Sequence, residues 1–118
     1  MSEIVSKELV NEVLGYKVKD IKFDKNAIKY KALNGVKWER IFRSINIHEL
    51  AHKCKEWIAN RYPRFSIKWD IGYVKNSNET VKVWLYNKCI GEDRQEYKAI
   101  FKACQWILEN EIRDENIS

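Results

Sequence analysis

The fold is decided by a stretch in the middle of the chain, residues 47–60, which reads IHELAHKCKEWIAN. Its apolar residues recur every three or four positions, the spacing that aligns side chains along one side of an α-helix. Asn46 is suited to cap this helix, and Glu49 can complete a capping box with it. Pro63 helps to end it, because proline cannot continue a helix. The sequence therefore predicts a helix from Ile47 to about Asn60 with one face in the core.

The same stretch holds both histidines of the chain, in the pattern HELAH at residues 48–52. H-E-x-x-H is typical of zinc metallopeptidases, in which two histidines bind the metal and the glutamate activates water. Here the helical period of about 3.6 residues places His48 and His52 off the apolar stripe, beside Lys55. The motif also begins at the helix start, and no third ligand follows at a recognised spacing. We interpret it as a solvated helix face, with a metallopeptidase using Glu49 as a remote alternative and no metal site predicted.

A further helix is predicted near each end of the chain. The first is capped by Ser2 or Ser6 and runs to about Leu14, and the glycine that follows allows the left-handed backbone that ends helices. The last follows a second capping box, formed by Asp93 and Glu96. Its wide apolar face consists of Tyr97, Ile100, Phe101, Ala103, Cys104, Ile107 and Leu108.

Between the helices, alternating apolar and polar residues predict β-strands paired in hairpins. Residues 17–24 and 27–33 form the first hairpin, and residues 65–73 and 80–89 form the second. Residues 36–43 are either a further strand or an irregular connection. This order, α-β-β-(β)-α-β-β-α, predicts an α+β fold with an antiparallel sheet of four to five strands and helices packed on it. A three-layer α/β/α sandwich is one form that such a fold can take.

The segment 80–89 carries large apolar side chains on both faces. Val83 and Leu85 occupy one face, and Trp84 and Tyr86 occupy the other. We expect a sheet that is covered on both sides, or on one side by a second subunit. The sequence therefore predicts a homodimer.

The composition indicates one domain over residues 1–118, with a polar tail from about 112. Hydrophobic residues make up 45% of the chain, which is enough for one core. No apolar run reaches the roughly 18 residues of a membrane span, and the N-terminus lacks a secretory signal, so we expect a cytoplasmic protein. The three cysteines are odd in number and lack C-x-x-C spacing, which argues against a disulfide framework and a cysteine zinc site.

Other catalytic signatures are missing from the sequence. It contains no G-x-S-x-G, no Walker loop and no G-x-G-x-x-G, and four scattered glycines do not build a phosphate-binding loop. A Cys–His pair stays open from sequence alone, although Cys54 and Cys104 fall on apolar helix stripes and Cys89 has no evident base. We predict no enzyme and no cofactor.

Basic and aromatic residues form the most suggestive cluster. The net charge is +5, which either keeps the protein in solution or attracts an anionic partner. Aromatic rings interleaved with lysine on a sheet face can stack bases and neutralise phosphates. The same rings could instead pack under a helix or in a dimer interface. The predicted ligand-binding residues are Lys68, Lys82, Trp84, Tyr86, Arg61 and Arg64.

Three segments resemble the phage ABA (alpha-beta-alpha) sandwich domain. Residues 9–16, LVNEVLGY, resemble its opening helix and exit, residues 45–57 its central amphipathic helix, and residues 97–108 its closing helix. The basic stretch Lys17 to Arg43 is longer than in that family. The resemblance implies a small phage or prophage protein in the cytoplasm of a bacterial host, with helices on both faces of an antiparallel sheet and no catalytic residues.

Together these features lead to a binding function. The first hypothesis is a phage accessory protein that antagonises host defence, by sequestering an anionic, nucleotide-like ligand or by blocking a defence protein. The alternative is a nucleic-acid-binding module in phage replication or regulation. A salt-dependent affinity for nucleic acid would favour the alternative, because phosphate contacts weaken as salt rises.

Overall fold

The computed structural model describes residues 5–70 and 80–112. Along the chain the elements are α1 (Lys7–Leu14), β1 (Val18–Asp24), β2 (Ala27–Asn34), β3 (Lys37–Trp38), β4 (Arg43–Asn46), α2 (Ile47–Arg61), β5 (Ser66–Asp70), β6 (Thr80–Leu85), β7 (Lys88–Asp93), α3 (Glu96–Ile107) and a π-helical turn (Leu108–Ile112). The predicted α+β class is confirmed. The end of the predicted strand 65–73, the turn after it and the tail from residue 113 lie outside the described residues.

The first two helices begin as the sequence predicts. The backbone N–H of Leu9 donates to the Ser6 hydroxyl at 3.1 Å, which identifies Ser6 as the cap of α1. Gly15 ends that helix with φ +83°, in the left-handed region that glycine adopts without strain. At α2, the side chain of Asn46 accepts from the backbone N–H of His48 at 2.8 Å. Both caps satisfy donors that a helix start leaves unpaired.

The predicted capping box of α3 is wrong. Gln95 holds the cap position, and its side chain makes no cap hydrogen bond. Asp93 lies further back, where it accepts from the Gln95 N–H at 3.2 Å and pairs with Lys102 at 2.9 Å. The reason is that β7 extends to Asp93, so the chain needs two more residues to turn into the helix.

The strands of the described residues form two antiparallel sheets rather than one. In the first, β2 pairs with β1 on one side and with both β3 and β4 on the other. In the second, β6 lies between β5 and β7. Each predicted hairpin is thus extended by strands that the sequence analysis did not separate. Segment 80–89, predicted as one strand, is broken by a turn at Tyr86, whose φ is +59°.

The helices cover one side of the strands. On that side β2 buries Ile28, Tyr30 and Ala32, and β6 buries its alternate residues in the same way. Helix α3 packs on β6 and β7, α1 packs on β1, and α2 contacts α1, α3 and β4. The other side, which we call the outer face, is exposed or half-buried. The predicted burial of Val81, Val83 and Leu85 is confirmed.

One close approach fixes the second sheet against its helix. Gly91 on β7 is buried, and a Cβ added to it would collide with the backbone of Ala99 and lie 2.8 Å from the nitrogen of Ala103. Only glycine leaves room for the strand and α3 to meet at this distance. Gly91 therefore sets the packing of the second sheet.

The described helices share one apolar core. The largest fully buried side chains include Phe101, Leu9, Leu50 and Ile58, so all three helices contribute to one apolar cluster. No helix within the described ranges has the length and hydropathy that crossing a membrane requires.

Candidate anion-binding face

Three of the six predicted ligand-binding residues meet on the outer face of the second sheet. Lys68 and Lys82 are directly opposite each other on neighbouring strands. The ammonium group of Lys68 lies 5.7 Å from the centre of the Trp84 ring. We call these three residues the second outer face.

The other three predicted residues lie elsewhere. Tyr86 is in the turn after β6 and is 63% exposed, so it does not share a strand face with Trp84. The guanidinium group of Arg61 lies over the ring of Trp57 at 5.4 Å, both on α2. Arg64 is exposed in the segment that leads into β5. The structure therefore does not bring the six residues together on one surface, and their role in ligand binding stays a prediction.

A second and more basic surface lies on the outer face of the first sheet, and the sequence analysis missed it. Its members are four lysines and two aromatic residues from β1 to β3 and the segment before β4. They are Lys19, Lys22, Lys29, Lys31, Trp38 and Phe42. We call this set the first outer face.

The lysines of the first outer face stand in opposed pairs. In the register of β1 and β2, Lys19 lies opposite Lys31, and Lys22 lies opposite Lys29. Like charges directly opposite each other destabilise a sheet. The only carboxylate paired with any of them in the described part of the chain is Asp24, 3.1 Å from Lys29. This surface therefore keeps three ammonium groups without a carboxylate partner within the described residues.

Aromatic rings hold these ammonium groups in place. Lys22 and Lys31 lie 4.9 and 5.0 Å from the centre of the Phe42 ring, and Lys19 lies 4.6 Å from the centre of the Trp38 ring. An ammonium group over a ring face is attracted by the ring electrons but stays accessible to an anion. The lysines are thus ordered without being neutralised.

Among the described residues, no third ligand joins the two histidines in a metal site. Both are exposed, which confirms that they face away from the core. His52 contacts the carboxylate of Glu56 at 3.1 Å, and the ring of His48 lies edge-on against Tyr97 at 5.0 Å. Residues 5–70 and 80–112 contain no cluster of three groups that could hold a metal ion.

The cysteines are free, and two of them are buried on the helices as predicted. The Cys104 thiol lies 3.9 Å from the backbone oxygen of Cys54. Its hydrogen-bonding contact with Cys54 and its burial both raise the pKa of the Cys104 thiol. A thiol held in its protonated form is a poor nucleophile.

Comparison of the chain with protein-family models, with curated proteins and with solved structures found no match. The resemblance to the phage ABA sandwich domain therefore stays a prediction.

Proposed function

We propose that this protein is a non-enzymatic binder of single-stranded nucleic acid, which it holds on the outer faces of its two sheets. The observation that carries the proposal is the set of directly opposed lysine pairs interleaved with aromatic rings. These pairs are Lys19–Lys31, Lys22–Lys29 and Lys68–Lys82.

The opposed lysines provide the attraction. Each pair places two positive charges across adjacent strands, and a bound anion relieves their repulsion. In two of the pairs a carboxylate already offsets part of it, since Asp24 lies beside Lys29 and Glu92 beside Lys82. A phosphate group bound by both ammonium groups removes this repulsion and also releases counterions from the nucleic acid. Since the pairs are spread over two sheets, a polymer of phosphates satisfies more of them than a single phosphate does.

The rings provide the second part of the interaction. Trp38, Phe42 and Trp84 are half-buried, so their positions are fixed by the fold. When an ammonium group moves from a ring to a phosphate, the ring face becomes free for a base. Stacking of this kind tolerates any base, because every base has an aromatic face. Single-stranded nucleic acid offers both free bases and regularly spaced phosphates.

The experiment is a fluorescence anisotropy titration of a labelled single-stranded oligonucleotide at several salt concentrations. The variant Lys22→Gln/Lys31→Gln is expected to lower the affinity about tenfold, at up to about 1 kcal/mol per exposed charge contact. It should also reduce the slope of log affinity against log salt by about 1.4, since each contact to a single strand contributes about 0.7. Equal affinities for the variant and the original protein would contradict the proposal.

A matched control removes the same charge from the helical side. Lys55 on α2 and Lys98 on α3 lie on the helices, away from the outer faces. Lys55→Gln/Lys98→Gln is expected to change the salt slope little. If this control weakened binding as much as the first variant, net charge alone would explain the interaction.

The narrower hypothesis concerns the biological context. A phage protein that antagonises host defence, by sequestering a nucleotide-like ligand or by blocking a defence protein, is supported by the resemblance of residues 9–16, 45–57 and 97–108. An acidic defence protein would compete with an oligonucleotide for the same lysines. If the predicted homodimer forms through an outer face, the second subunit competes with the oligonucleotide for that face. The oligonucleotide affinity would then fall as the protein concentration rises.

A further inference from the structure

A cleft of about 430 Å³ opens on the helical side of the first sheet, between α1, β4 and α2. Its volume falls in the range of about 300 to 1,000 Å³ typical of small-molecule sites. Three aromatic residues, Tyr16, Tyr30 and Trp57, come together in its walls from three separate parts of the chain. Because Tyr30 is on the buried side of β2, the cleft is distinct from the first outer face.

The two tyrosines leave one hydrogen-bond donor for a ligand. Their hydroxyl oxygens are 2.8 Å apart, and either can donate to the other. Two hydroxyl groups carry two protons, and the bond between them uses one. No further acceptor for the second proton occurs among residues 5–70 and 80–112. Burial, and then the bond to Tyr16, raise the pKa of Tyr30, so its hydroxyl keeps its proton at neutral pH.

The tyrosine pair is held from outside the cleft. The guanidinium group of Arg43 lies over the Tyr16 ring, 5.1 Å from its centre. Arg43 is itself fixed by two bonds to the carboxylate of Glu39, at 2.7 and 2.8 Å. A donor that is already oriented loses little freedom when a ligand binds.

Polar side chains of both kinds line the rest of the cleft. Helix α2 contributes Glu49, Lys53 and Asn60, and β4 contributes Ser44. Within the described chain, Glu49 and Lys53 make no ion pair, although they are one helical turn apart. The cleft therefore offers donors, acceptors and ring faces at once.

We propose that this cleft binds a nucleoside or a free nucleobase. A base is planar, so it can lie against the aromatic walls. Its edge carries ring nitrogens and carbonyl or amino groups, which match the free tyrosine proton, the Asn60 amide and the Glu49 carboxylate. The charged lining residues are Glu49, Glu56 and Lys53, so carboxylates outnumber the ammonium group. That balance disfavours a phosphate and selects the nucleoside over its nucleotide.

The test is isothermal titration calorimetry with adenosine, guanosine, cytidine and uridine, and with their 5′-monophosphates. At least one nucleoside is expected to bind, and its monophosphate to bind more weakly. Tyr16→Phe and Asn60→Ala are each expected to weaken binding about three- to tenfold, the usual effect of losing one hydrogen bond. Asn87→Ala, at an exposed turn position, is the matched control and should leave the affinity unchanged.

Two results would overturn this inference. One is the absence of heat with all four nucleosides at millimolar concentration. The other is binding that Tyr16→Phe and Asn60→Ala leave as tight as in the original protein. Asn60 is exposed, so its variant keeps the test valid if Tyr16→Phe fails to fold. Lys22→Gln/Lys31→Gln should not alter nucleoside binding, so failure of this site and failure of the oligonucleotide face are distinguishable.

Discussion

The described chain contains two units of similar order, an antiparallel sheet followed by a helix, and they differ in how they use their surfaces. The first half is the four strands β1 to β4 with α2, and the second half is the three strands β5 to β7 with α3. In the second half Gly91 locks the sheet onto its helix, and Lys82 pairs with Glu92 at 3.4 Å. The first half keeps three lysines without a carboxylate partner among the described residues, and it borders the aromatic cleft.

The second half therefore mainly stabilises the fold, whereas the first half carries the proposed binding surfaces. In the second half the close contacts serve packing, since helix α3 buries six residues, among them Phe101 and Cys104. The first half tolerates opposed lysines, which cost stability unless a ligand compensates them, and a tyrosine pair that keeps one hydroxyl proton for a ligand. Features that weaken a fold without a packing benefit are commonly found at binding sites.

The largest expected effect tests the supporting role of the second half. Gly91→Ala places a methyl group against the backbone of α3, and we expect it to lower the free energy of unfolding by about 3 kcal/mol. The matched control is Gly35→Ala in the first half, where φ is +67° and no atom lies within 4 Å of an added Cβ. It should cost only about 1 kcal/mol, from backbone strain. Urea denaturation measures the free energy of unfolding of both variants. Equal losses would contradict the conclusion that Gly91 sets the packing of the second sheet.

A smaller effect tests the tyrosine pair of the first half. Burial raises the pKa of Tyr30, so the folded chain keeps this proton at a pH where the unfolded chain, with a tyrosine pKa of about 10, loses it. The contribution to stability is full below about pH 10 and is lost as the pH rises, by at most about 1.4 kcal/mol per pH unit.

The measurement compares stability against pH for two variants. Tyr30→Phe removes the titrating group and should make the alkaline loss of stability shallower. Tyr86→Phe, at an exposed turn position, should leave the alkaline slope as it is in the original protein. A slope that neither variant changes would show that Tyr30 is not the responsible group.

The sequence was sufficient for elements with a strong period. The stripe that includes Leu50, Cys54 and Ile58 lies in the core as expected, because helical spacing alone sets which residues share a face. The alternation of Val81, Val83 and Leu85 likewise predicted which side of β6 is buried, because successive side chains of a strand point to opposite faces. Ser6 and Gly15 also mark the ends of α1, since their side chain and backbone preferences act locally.

Features that depend on pairing between strands were not predictable in this way. Strand β4 has only four residues, and β7 contains Gly91 and charged residues in place of a clear alternation. Tyr86 favours a strand by propensity, yet it adopts a left-handed turn because β6 and β7 pair on either side of it. Tertiary pairing overrode local preference there.

The candidate sites were harder still to predict, because they combine distant segments. Trp38 and Phe42 lie in residues 36–43, for which the sequence predicts either a strand or an irregular connection. They reach Lys19 and Lys31 only through the pairing of β2 with its neighbours. The cleft likewise joins Tyr16, Tyr30 and Trp57 across some 40 residues of chain. No spacing rule within one segment reports such contacts.

The most direct test of the central claim compares the two outer faces in one assay. Oligonucleotide affinity at low salt is measured for Lys22→Gln/Lys31→Gln in the first half and for Lys68→Gln/Lys82→Gln in the second. Because Glu92 already pairs with Lys82, we predict a loss of about tenfold for the first variant and about threefold or less for the second. An equal or larger loss for the second variant would contradict the account.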